Sequence, residues 1–428
     1  MSQIASGDEV IPAIPVDTYT ADTLDALIAP IDASAFFREY WEQRPLHVPS
    51  AQRDRFTHLF SSSDVDELLG SYGRTHNLGV RLSRHSNGRT EIVDLAAEQS
   101  LVDVERVFSA YAQGFTININ DLEERRQPIR ALAASLAAAF GCMVKVNAYV
   151  TPAQAAAFPL HLDTHDVLIL QLEGTKAWRI YSPCFPSPTK MQRPPTEIPK
   201  DAVGTPLLDV VLQAGDVLYV PRGFGHQVFT QGDASLHLTV GIHAFTFVDL
   251  IDAALGVMAW DVPQLRRAIP ARAITGDAPD AAVEADLRAL RAMIAERLPL
   301  EEALTRLAAQ WLAWLPPSPH ARFGAGDRTD STTIGPDTIV RRRSGTPCRI
   351  VEGYGWMSIQ YPSHGVTVPA RMREPLEYIA QTDEFEVASV PGRLSDDERV
   401  ALVQRLITEG LLVRADRLPE RSPAARAR

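Results

Sequence analysis

The sequence contains only three cysteines, Cys142, Cys184 and Cys348, and no two of them have the spacing of a zinc or redox motif. So small and odd a number argues against a framework of disulfide bonds and is typical of a reducing compartment. The acidic N-terminal residues lack the basic segment and apolar core of a secretory signal. We therefore expect a cytoplasmic protein.

Long apolar runs are also missing. The longest uncharged apolar run, 131–144, is shorter than the roughly 20 residues of a membrane-spanning helix, so no membrane partner is expected. The formal net charge of −11 disfavours general attraction to nucleic acid or to anionic membranes. At 428 residues the chain is too long for one compact core, and roughly two to four domains are expected.

Four segments differ in pattern. Residues 1–20 are expected to be a flexible N-terminus, and 21–246 combine helical patterns with many short strands. Several short strands within about 100 residues predict a sandwich or barrel. Residues 247–328 are amphipathic and helical, and end in a linker rich in Pro, Gly and Ser. Residues 329–428 mix short strands with two helices, an order that resembles a winged helix.

Local signals predict several turns and helix ends. Asn87-Gly88 lies between two alternating runs and predicts a β-hairpin. An Ala- and Leu-rich helix is predicted over 127–140, with Gly141 ending it. Glu173-Gly174-Thr175 is interpreted as a tight turn between two strands. Ser395 and Glu398 form a capping box at the start of a C-terminal helix.

The residues with the clearest chemistry are His161 and Asp163, together with the distant His226. Two imidazoles and one carboxylate are the ligands of a facial-triad iron site, which leaves three positions open for a co-substrate and dioxygen. On a strand, residues two apart point the same way, so His161 and Asp163 would chelate together. A zinc or manganese cupin is the alternative, but such sites often carry further His or Glu ligands, and only these three residues stand out.

Four more polar residues are candidates for binding the co-substrate. Lys176, just past the predicted turn, is a compact cation suited to the distal carboxylate of 2-oxoglutarate. Asn147 and Tyr149 lie two apart on the preceding strand, and Thr239 lies on the last strand of the region. Together with the metal ligands, they predict a site for Fe(II), 2-oxoglutarate and O2.

These motifs resemble those of the JmjC ribosomal oxygenases, which are cupin-fold protein hydroxylases. The resemblance rests on one N-terminal segment, Phe36-Phe37-Arg38-Glu39-Tyr40-Trp41-Glu42-Gln43-Arg44-Pro45-Leu46, and on four segments of the strand region. These four are Asn147–Pro152, Pro159–Asp163, Leu170–Arg179 and Gly215–His226. It extends in pattern over most of the chain, although the last 100 or so residues match less in their letters.

The resemblance implies an α+β fold with a double-stranded β-helix (cupin, JmjC) core, N-terminal helices, a helical dimerisation region and a C-terminal winged-helix-like domain. It implies Fe(II) ligation by His161, Asp163 and His226. It also implies that Lys176 binds the 2-oxoglutarate carboxylate, supported by Asn147, Tyr149 and Thr239. The arginyl hydroxylases of this family tend to have Arg where Lys176 stands, and the histidyl hydroxylases have Lys.

We therefore expect a 2-oxoglutarate-dependent dioxygenase that hydroxylates a side chain of a ribosomal protein, with histidine favoured over arginine. His165, Asp166 and Arg222 are candidates for the substrate rim, whereas His237 and His243 are expected to be structural. A homodimer is expected, and direct DNA binding is not.

Two alternatives stay open at this stage. One is a hydroxylase or demethylase of a biosynthetic peptide or small molecule, because hydroxylating an N-methyl group uses the same oxidant. The other is a DNA-binding regulator that senses 2-oxoglutarate or iron through the winged-helix-like segment. The acidic charge and the lack of an evident basic recognition face count against the regulator.

Overall fold

The computed structural model describes residues 23–72, 79–94, 104–192, 197–276, 281–316, 334–343, 346–353 and 355–415. They fall into two compact units, one within Val16–Ala244 and one within Phe245–Arg428. The predicted N-terminus 1–20, the predicted linker beyond Pro316 and the Arg-rich tail after Leu418 lie outside the described residues. The four-part division of the chain stays a prediction.

The first unit combines short helices with a large sheet system. Its helices are α1 (Leu24–Ile28), α2 (Ala33–Glu39), α3 (Ser62–Tyr72), α4 (Val104–Ala112) and α5 (Gln127–Phe140). Its strands are β1 (Leu46–Val48), β2 (Val80–Ser86), β3 (Arg89–Asp94), β4 (Thr116–Ile119), β5 (Met143–Thr151), β6 (Asp166–Pro183), β7 (Leu208–Gln213), β8 (Val217–Val220), β9 (Phe224–Phe229) and β10 (Ser235–His243).

The sheet order is β1-β8-β6-β10-β5-β4-β2-β3, with β7 and β9 also paired to β6. All the pairings are antiparallel. Strand β6 therefore belongs to two layers: its first half pairs with β8 and β10, and its second half pairs with β7 and β9. This doubling of one long strand agrees with the jelly-roll core that was predicted.

The predicted tight turn at Gly174 is wrong. Gly174 has φ +65°, but the chain bends there without reversing, and β6 continues to Pro183. The register with β10 shifts next to this point, which marks a β-bulge. A Cβ at Gly174 would lie 1.8 Å from the Ala234 carbonyl oxygen, so only glycine fits this close approach. As a result Lys176 lies on the same strand, β6, as the segment that follows the metal-ligand candidates His161 and Asp163.

The hairpin turn and the helix ends, which depend only on a few adjacent residues, agree with the sequence. Asn87 and Gly88 have φ of 51° and 73°, the two positive values of a type I′ hairpin turn, and they join β2 to β3. Helix α5 has the predicted bounds and ends at Gly141 with φ 62°. Helix α2 is capped by Asp32, whose side chain accepts a hydrogen bond from Ala35 N.

The core between the two layers of strands is apolar. Its fully buried members come from both halves of β6 and from the strands that face it, and they are Val167, Ile169, Trp178, Ile180, Leu212, Leu218, Val220 and Phe224. Each large side chain buried in this way contributes roughly 1.5–3 kcal/mol. This packing fixes β6 and β9 against each other, and those strands carry Lys176 and His226.

The second unit contains helices and two small sheets. Its helices are α6 (Phe247–Asp261), α7 (Ala271–Thr275), α8 (Ala281–Arg297), α9 (Leu300–Trp314), α10 (Arg373–Gln381) and α11 (Asp396–Thr408). Its strands are β11 (Ile339–Arg342), β12 (Arg349–Gly353), β13 (Trp356–Tyr361), β14 (His364–Pro369), β15 (Glu384–Glu386) and β16 (Leu412–Arg414), in the sheets β15-β11-β16 and β12-β13-β14.

The predicted capping box is present at the start of α11, where Ser395 and Glu398 bond each other's backbone N–H groups. Residues of both sheets and of α10 and α11 form one apolar core in this unit. The winged-helix-like and dimerisation roles of these segments stay predictions. Among the described helices, none is both long and apolar enough to span a membrane.

Candidate metal and co-substrate site

The structure places His161, Asp163 and His226 side by side. One ligand atom from each lies within 4.8 Å of the other two. The prediction that His161 and Asp163 lie on a strand is only partly right, because His161 forms an isolated bridge with His226 and the chain then leaves the sheet. Two backbone hydrogen bonds hold this bridge, of 2.7 Å from His226 N and 3.1 Å from His161 N.

Both imidazoles are oriented by backbone carbonyl groups. His161 Nδ1 lies 2.9 Å from the Pro159 oxygen, and His226 Nδ1 lies 3.2 Å from the Phe224 oxygen. A carbonyl oxygen only accepts, so each Nδ1 carries the proton and each Nε2 keeps its lone pair for a metal. His226 Nε2 lies 3.7 Å from Asp163 Oδ2, so these free donor atoms converge.

The charge states of His226 and Asp163 also suit metal binding. Burial and the neighbouring His161 lower the pKa of His226 to about 4, so its imidazole is neutral at neutral pH. Burial acts to raise the pKa of Asp163, but the neighbouring His226 and His161 lower it below its usual value. A neutral imidazole and a carboxylate are forms that bind a divalent metal, so these residues, together with the Nε2 atom of His161, fit the predicted Fe(II).

Asp121, Glu123 and Glu124 form a second group of potential ligands among the described residues. Lys145 Nζ lies 3.0, 3.2 and 3.3 Å from their carboxylate oxygens, in the middle of the group. The lysine occupies the place that an ion would take, and we interpret this group as a network of ion pairs.

Lys176 is buried, with 3% of its surface exposed. Its Nζ donates a hydrogen bond to Thr151 Oγ1 at 2.8 Å and lies 3.5 Å from His237 Nδ1. No carboxylate of the described residues forms an ion pair with it, and burial lowers its pKa to about 7. A buried amine without a counter-ion is costly, and an anion in the pocket would favour its charged form. The carboxylate of 2-oxoglutarate fits this requirement.

The other predicted co-substrate residues line one face of β5 and β10. Tyr149 is paired with His237 and Asn147 with Thr239, and directly paired residues point to the same face of a sheet. The Tyr149 and His237 rings stack at 5.1 Å. The Asn147 amide oxygen also accepts a hydrogen bond from Asp121 N at 3.1 Å, which fixes its side chain.

Sequence reasoning missed two residues at this site. Thr151, which bonds Lys176, extends the alternation of Asn147 and Tyr149 by one step, so the same argument would have found it. His237 was expected to be structural, yet it lies against Lys176, and the Trp178 ring contacts both His237 (5.9 Å) and His226 (6.0 Å). Trp178 thus contacts both a metal-ligand candidate and the histidine that lies against the buried lysine.

Comparison with known proteins agrees with this arrangement. Residues 123–250 match the JmjC domain family. The chain contains a JmjC domain. The predicted resemblance is therefore confirmed, and the matched range includes the three metal-ligand candidates and Lys176.

Curated relatives share the region around the JmjC domain. Ribosomal oxygenase 2 of Rattus norvegicus is 34% identical over 227 residues, which are 51% of this chain and 47% of that protein. The bifunctional lysine-specific demethylase and histidyl-hydroxylase NO66 of Drosophila yakuba is 28% identical over 263 residues, 59% of this chain and 38% of that protein. The chain thus spans less than half the length of these relatives.

Solved structures are similar to this chain in fold over more than the JmjC domain. A structure of YcfD, a ribosomal oxygenase from Escherichia coli, aligns with a TM-score of 0.50 and 18% identity, covering 90% of this chain and 98% of that one. At this identity, the likeness supports the fold alone.

Besides His161 and His226, the JmjC domain has a second pair of neighbouring imidazoles, at the C-terminal end of β10. His165 stacks on His243 at 4.7 Å. A Cβ at Gly241 would lie 3.0 Å from the His165 ring, so the glycine makes room for it. Burial lowers the pKa of both residues, that of His243 to about 3, which makes the pair neutral. His243 was expected to be structural, but it contacts a predicted rim residue.

Asp166 and Arg222 do not line the rim as predicted. Asp166 is fully buried and accepts a hydrogen bond from Tyr219 Oη at 2.7 Å. Arg222 turns away from the site toward Glu42, with 11% of its side chain exposed. The prediction rested on their closeness in sequence to the metal ligands, and it could not include a partner as distant as Glu42.

Proposed function

We propose that this chain is an Fe(II)- and 2-oxoglutarate-dependent dioxygenase that hydroxylates a side chain of a protein, most simply a histidine of a ribosomal protein. The observation that carries the proposal is the buried Lys176, which has no carboxylate partner among the described residues and lies against His237, whose ring contacts Trp178 as that of His226 does. A metal site alone would not need a buried cation beside it. A dicarboxylate that binds the metal needs the metal at one end and a cation for its distal carboxylate.

Each residue then has a defined task. His161, Asp163 and His226 hold the metal, with both imidazoles already oriented by backbone carbonyl groups and His226 kept neutral by its lowered pKa. Lys176 binds the distal carboxylate, and Thr151 and His237 hold its ammonium group in place. When bound, Fe(II) supplies the activation of O2 that oxidises 2-oxoglutarate to succinate and carbon dioxide and inserts one oxygen atom into a C–H bond. The apolar core around Trp178 keeps water away from these groups.

The choice of substrate rests on the relatives and on Lys176. Two relatives are named ribosomal oxygenases and another a histidyl-hydroxylase and demethylase, and these names support a ribosomal protein as the substrate. Lysine at position 176 favours histidine as the target, with arginine as the alternative. We also propose that the protein acts in the cytoplasm.

The test is a search for a gain of one oxygen atom. Ribosomal proteins purified from cells that lack the chain would be incubated with the enzyme, Fe(II) and 2-oxoglutarate, and then analysed by mass spectrometry with peptide sequencing. We expect one histidine to gain oxygen, and no gain with His161→Ala. Loss of a methyl group as formaldehyde would instead indicate demethylation. If no ribosomal protein changed while a small molecule or peptide was oxidised, the proposed substrate class would be wrong.

We further propose that the chain forms a homodimer through residues 247–314. Large apolar side chains of this segment are exposed, including Phe247 at 84% and Trp260 at 56%. Burying them against a second copy would remove this apolar surface from water. Light scattering after size-exclusion chromatography should give twice the mass of one 47.0 kDa chain. A monomeric mass at micromolar concentration would contradict the proposal.

The imidazole pair makes a separate prediction about the substrate rim. We expect His165→Ala and His243→Ala to raise the KM for the protein substrate roughly tenfold, because each removes a ring that a target side chain would contact. The slow conversion of 2-oxoglutarate without substrate should change less than about twofold. His58→Ala, at an exposed position of the same unit, is the matched control. An unchanged KM in both variants would remove the pair from the substrate site.

A further inference from the structure

A polar network, buried at Asp166 and Tyr219 and partly exposed at Glu42, joins the N-terminal region to the two segments that carry the candidate metal ligands. Asp166 begins β6, just after Asp163, and its Oδ1 accepts hydrogen bonds from Tyr219 Oη at 2.7 Å and from Arg222 N at 3.3 Å. Tyr219 lies in β8, and Arg222 lies in the turn that leads to His226. The Asp166 carboxylate, at the start of β6, is therefore hydrogen-bonded both to β8 and to the turn that leads to His226.

Arg222 lies between two carboxylates. It donates a hydrogen bond to Glu42 Oε1 at 2.5 Å, and its Nε lies 3.9 Å from Asp166 Oδ2. Within the described part of the chain, neither that Nε nor that Oδ2 has a hydrogen-bond partner, so the two charged groups depend on each other. Burial raises the pKa of Asp166 to about 6, so its carboxylate is still mainly ionised above neutral pH.

Glu42 is fixed by its backbone as well as by its side chain. Its N–H donates a hydrogen bond to Tyr219 Oη at 2.9 Å, and its φ of 56° lies in the left-handed region that a side chain seldom adopts. The Trp41 and Phe36 rings cover Tyr219, with centroids at 5.9 and 4.9 Å. The aromatic N-terminal motif thus covers the Tyr219 end of the network, where Asp166 is buried, while the Glu42 side chain keeps 34% of its surface exposed.

The network reaches the metal ligands through the backbone. Gly223, next to Arg222, donates its N–H to the Asp163 carbonyl oxygen at 2.9 Å. Gly223 has φ +80°, and a Cβ there would lie 2.0 Å from the Phe185 oxygen, so this turn has little room to adjust. A shift of Arg222 would therefore move Gly223, and with it the backbone of Asp163.

We infer that Glu42, Arg222 and Asp166 form a positioning network, which uses the N-terminal region to hold Asp163 and His226 in the geometry that a divalent metal requires. The inference rests on the metal site of the proposed function. It explains why the motif of residues 36–46 accompanies the metal-ligand motifs in one sequence, although it contributes no ligand. Groups that orient metal ligands typically change metal affinity by 10- to 100-fold when they are removed.

The test measures Co(II) affinity, with Co(II) as a probe that is stable in air and has visible absorption bands sensitive to its ligands. We expect Glu42→Gln and Arg222→Met to weaken Co(II) binding about tenfold or more, with altered bands, at a temperature where circular dichroism shows both variants folded. The control is Asp209→Asn, which breaks the more exposed ion pair between Arg179 and Asp209 in the same unit and should leave Co(II) affinity unchanged.

The outcomes separate the inference from the metal site itself. A lower melting temperature with unchanged Co(II) affinity in the variants would mean that the network only stabilises the fold, and the inference would be overturned. If Arg222→Met does not fold because it leaves Asp166 without its partner, Glu42→Gln decides the question, since it keeps both Arg222 and Asp166. Equal Co(II) binding by the wild type and His161→Ala would instead refute the metal site, and with it this inference.

Discussion

Replacing Lys176 with methionine is expected to abolish 2-oxoglutarate turnover and, at the same time, to stabilise the protein in the absence of ligand. Methionine fills a similar volume but cannot pair with a carboxylate. Removing one partner of a buried charge pair costs about 2–5 kcal/mol, so the Kd for 2-oxoglutarate should rise by roughly 100-fold or more. The Kd is measured by calorimetry with Mn(II) in place of Fe(II).

The expected stabilisation follows from the lowered pKa of Lys176. Folding reduces this pKa from 10.5 to about 7, so at pH 7.5 the buried amine destabilises the folded state by on the order of 4 kcal/mol. Between pH 7 and pH 10.5 the unfolded state binds more protons than the folded one, and stability therefore rises with pH across this window. The destabilisation is complete below pH 7 and fades toward pH 10.5.

The melting temperature of Lys176→Met without ligand should accordingly exceed that of the wild type by several degrees near pH 7, with the gap narrowing toward pH 10. Saturating 2-oxoglutarate should raise the melting temperature of the wild type and leave that of the variant unchanged. Lys200→Met, at an exposed position, is the matched control for loss of a lysine charge. A variant less stable than the wild type at pH 7 would show that Lys176 is a structural residue.

His161→Ala is expected to reduce the affinity for Fe(II) or its substitutes by at least about 100-fold, because it removes one of three ligands and leaves Asp163 and His226 to hold the metal alone. Metal at 100 times its Kd should stabilise the wild type by about 2.7 kcal/mol, and this gain should vanish in the variant. The measurement is thermal unfolding with and without Mn(II), with His58→Ala as the control. A metal-dependent shift that survives in His161→Ala would place the metal elsewhere.

The sequence predicted those parts of the site that depend on short spacings. The pair His161 and Asp163, and the turn and strand that lead to His226, follow from residue type and order, and the structure places the three side chains together. The hairpin at Asn87 and the end of α5 at Gly141 were also predicted correctly, because positive φ at Asn and Gly is a local property.

The remaining features depend on contacts between distant segments. Gly174 has the residue type and the φ of a turn, but pairing of β10 and β7 on either side of it keeps β6 extended, and only the assembled sheets decide this. Arg222 and Asp166 looked like rim residues until Glu42 supplied a partner on the other side. The contact of His237 with Lys176 could not be predicted, because the two residues lie on different strands.

The central claim is that His161, Asp163 and His226 hold a metal while Lys176 holds 2-oxoglutarate beside it. Its most direct test uses NMR to monitor the conversion of 2-oxoglutarate to succinate. The reaction contains the purified protein, Fe(II) and the ribosomal protein fraction. We predict Fe(II)-dependent succinate formation by the wild type, and a loss of at least about 100-fold in both His161→Ala and Lys176→Met. Succinate formation at the wild-type rate in either folded variant, or none by a wild-type protein that binds both Fe(II) and 2-oxoglutarate, would contradict it.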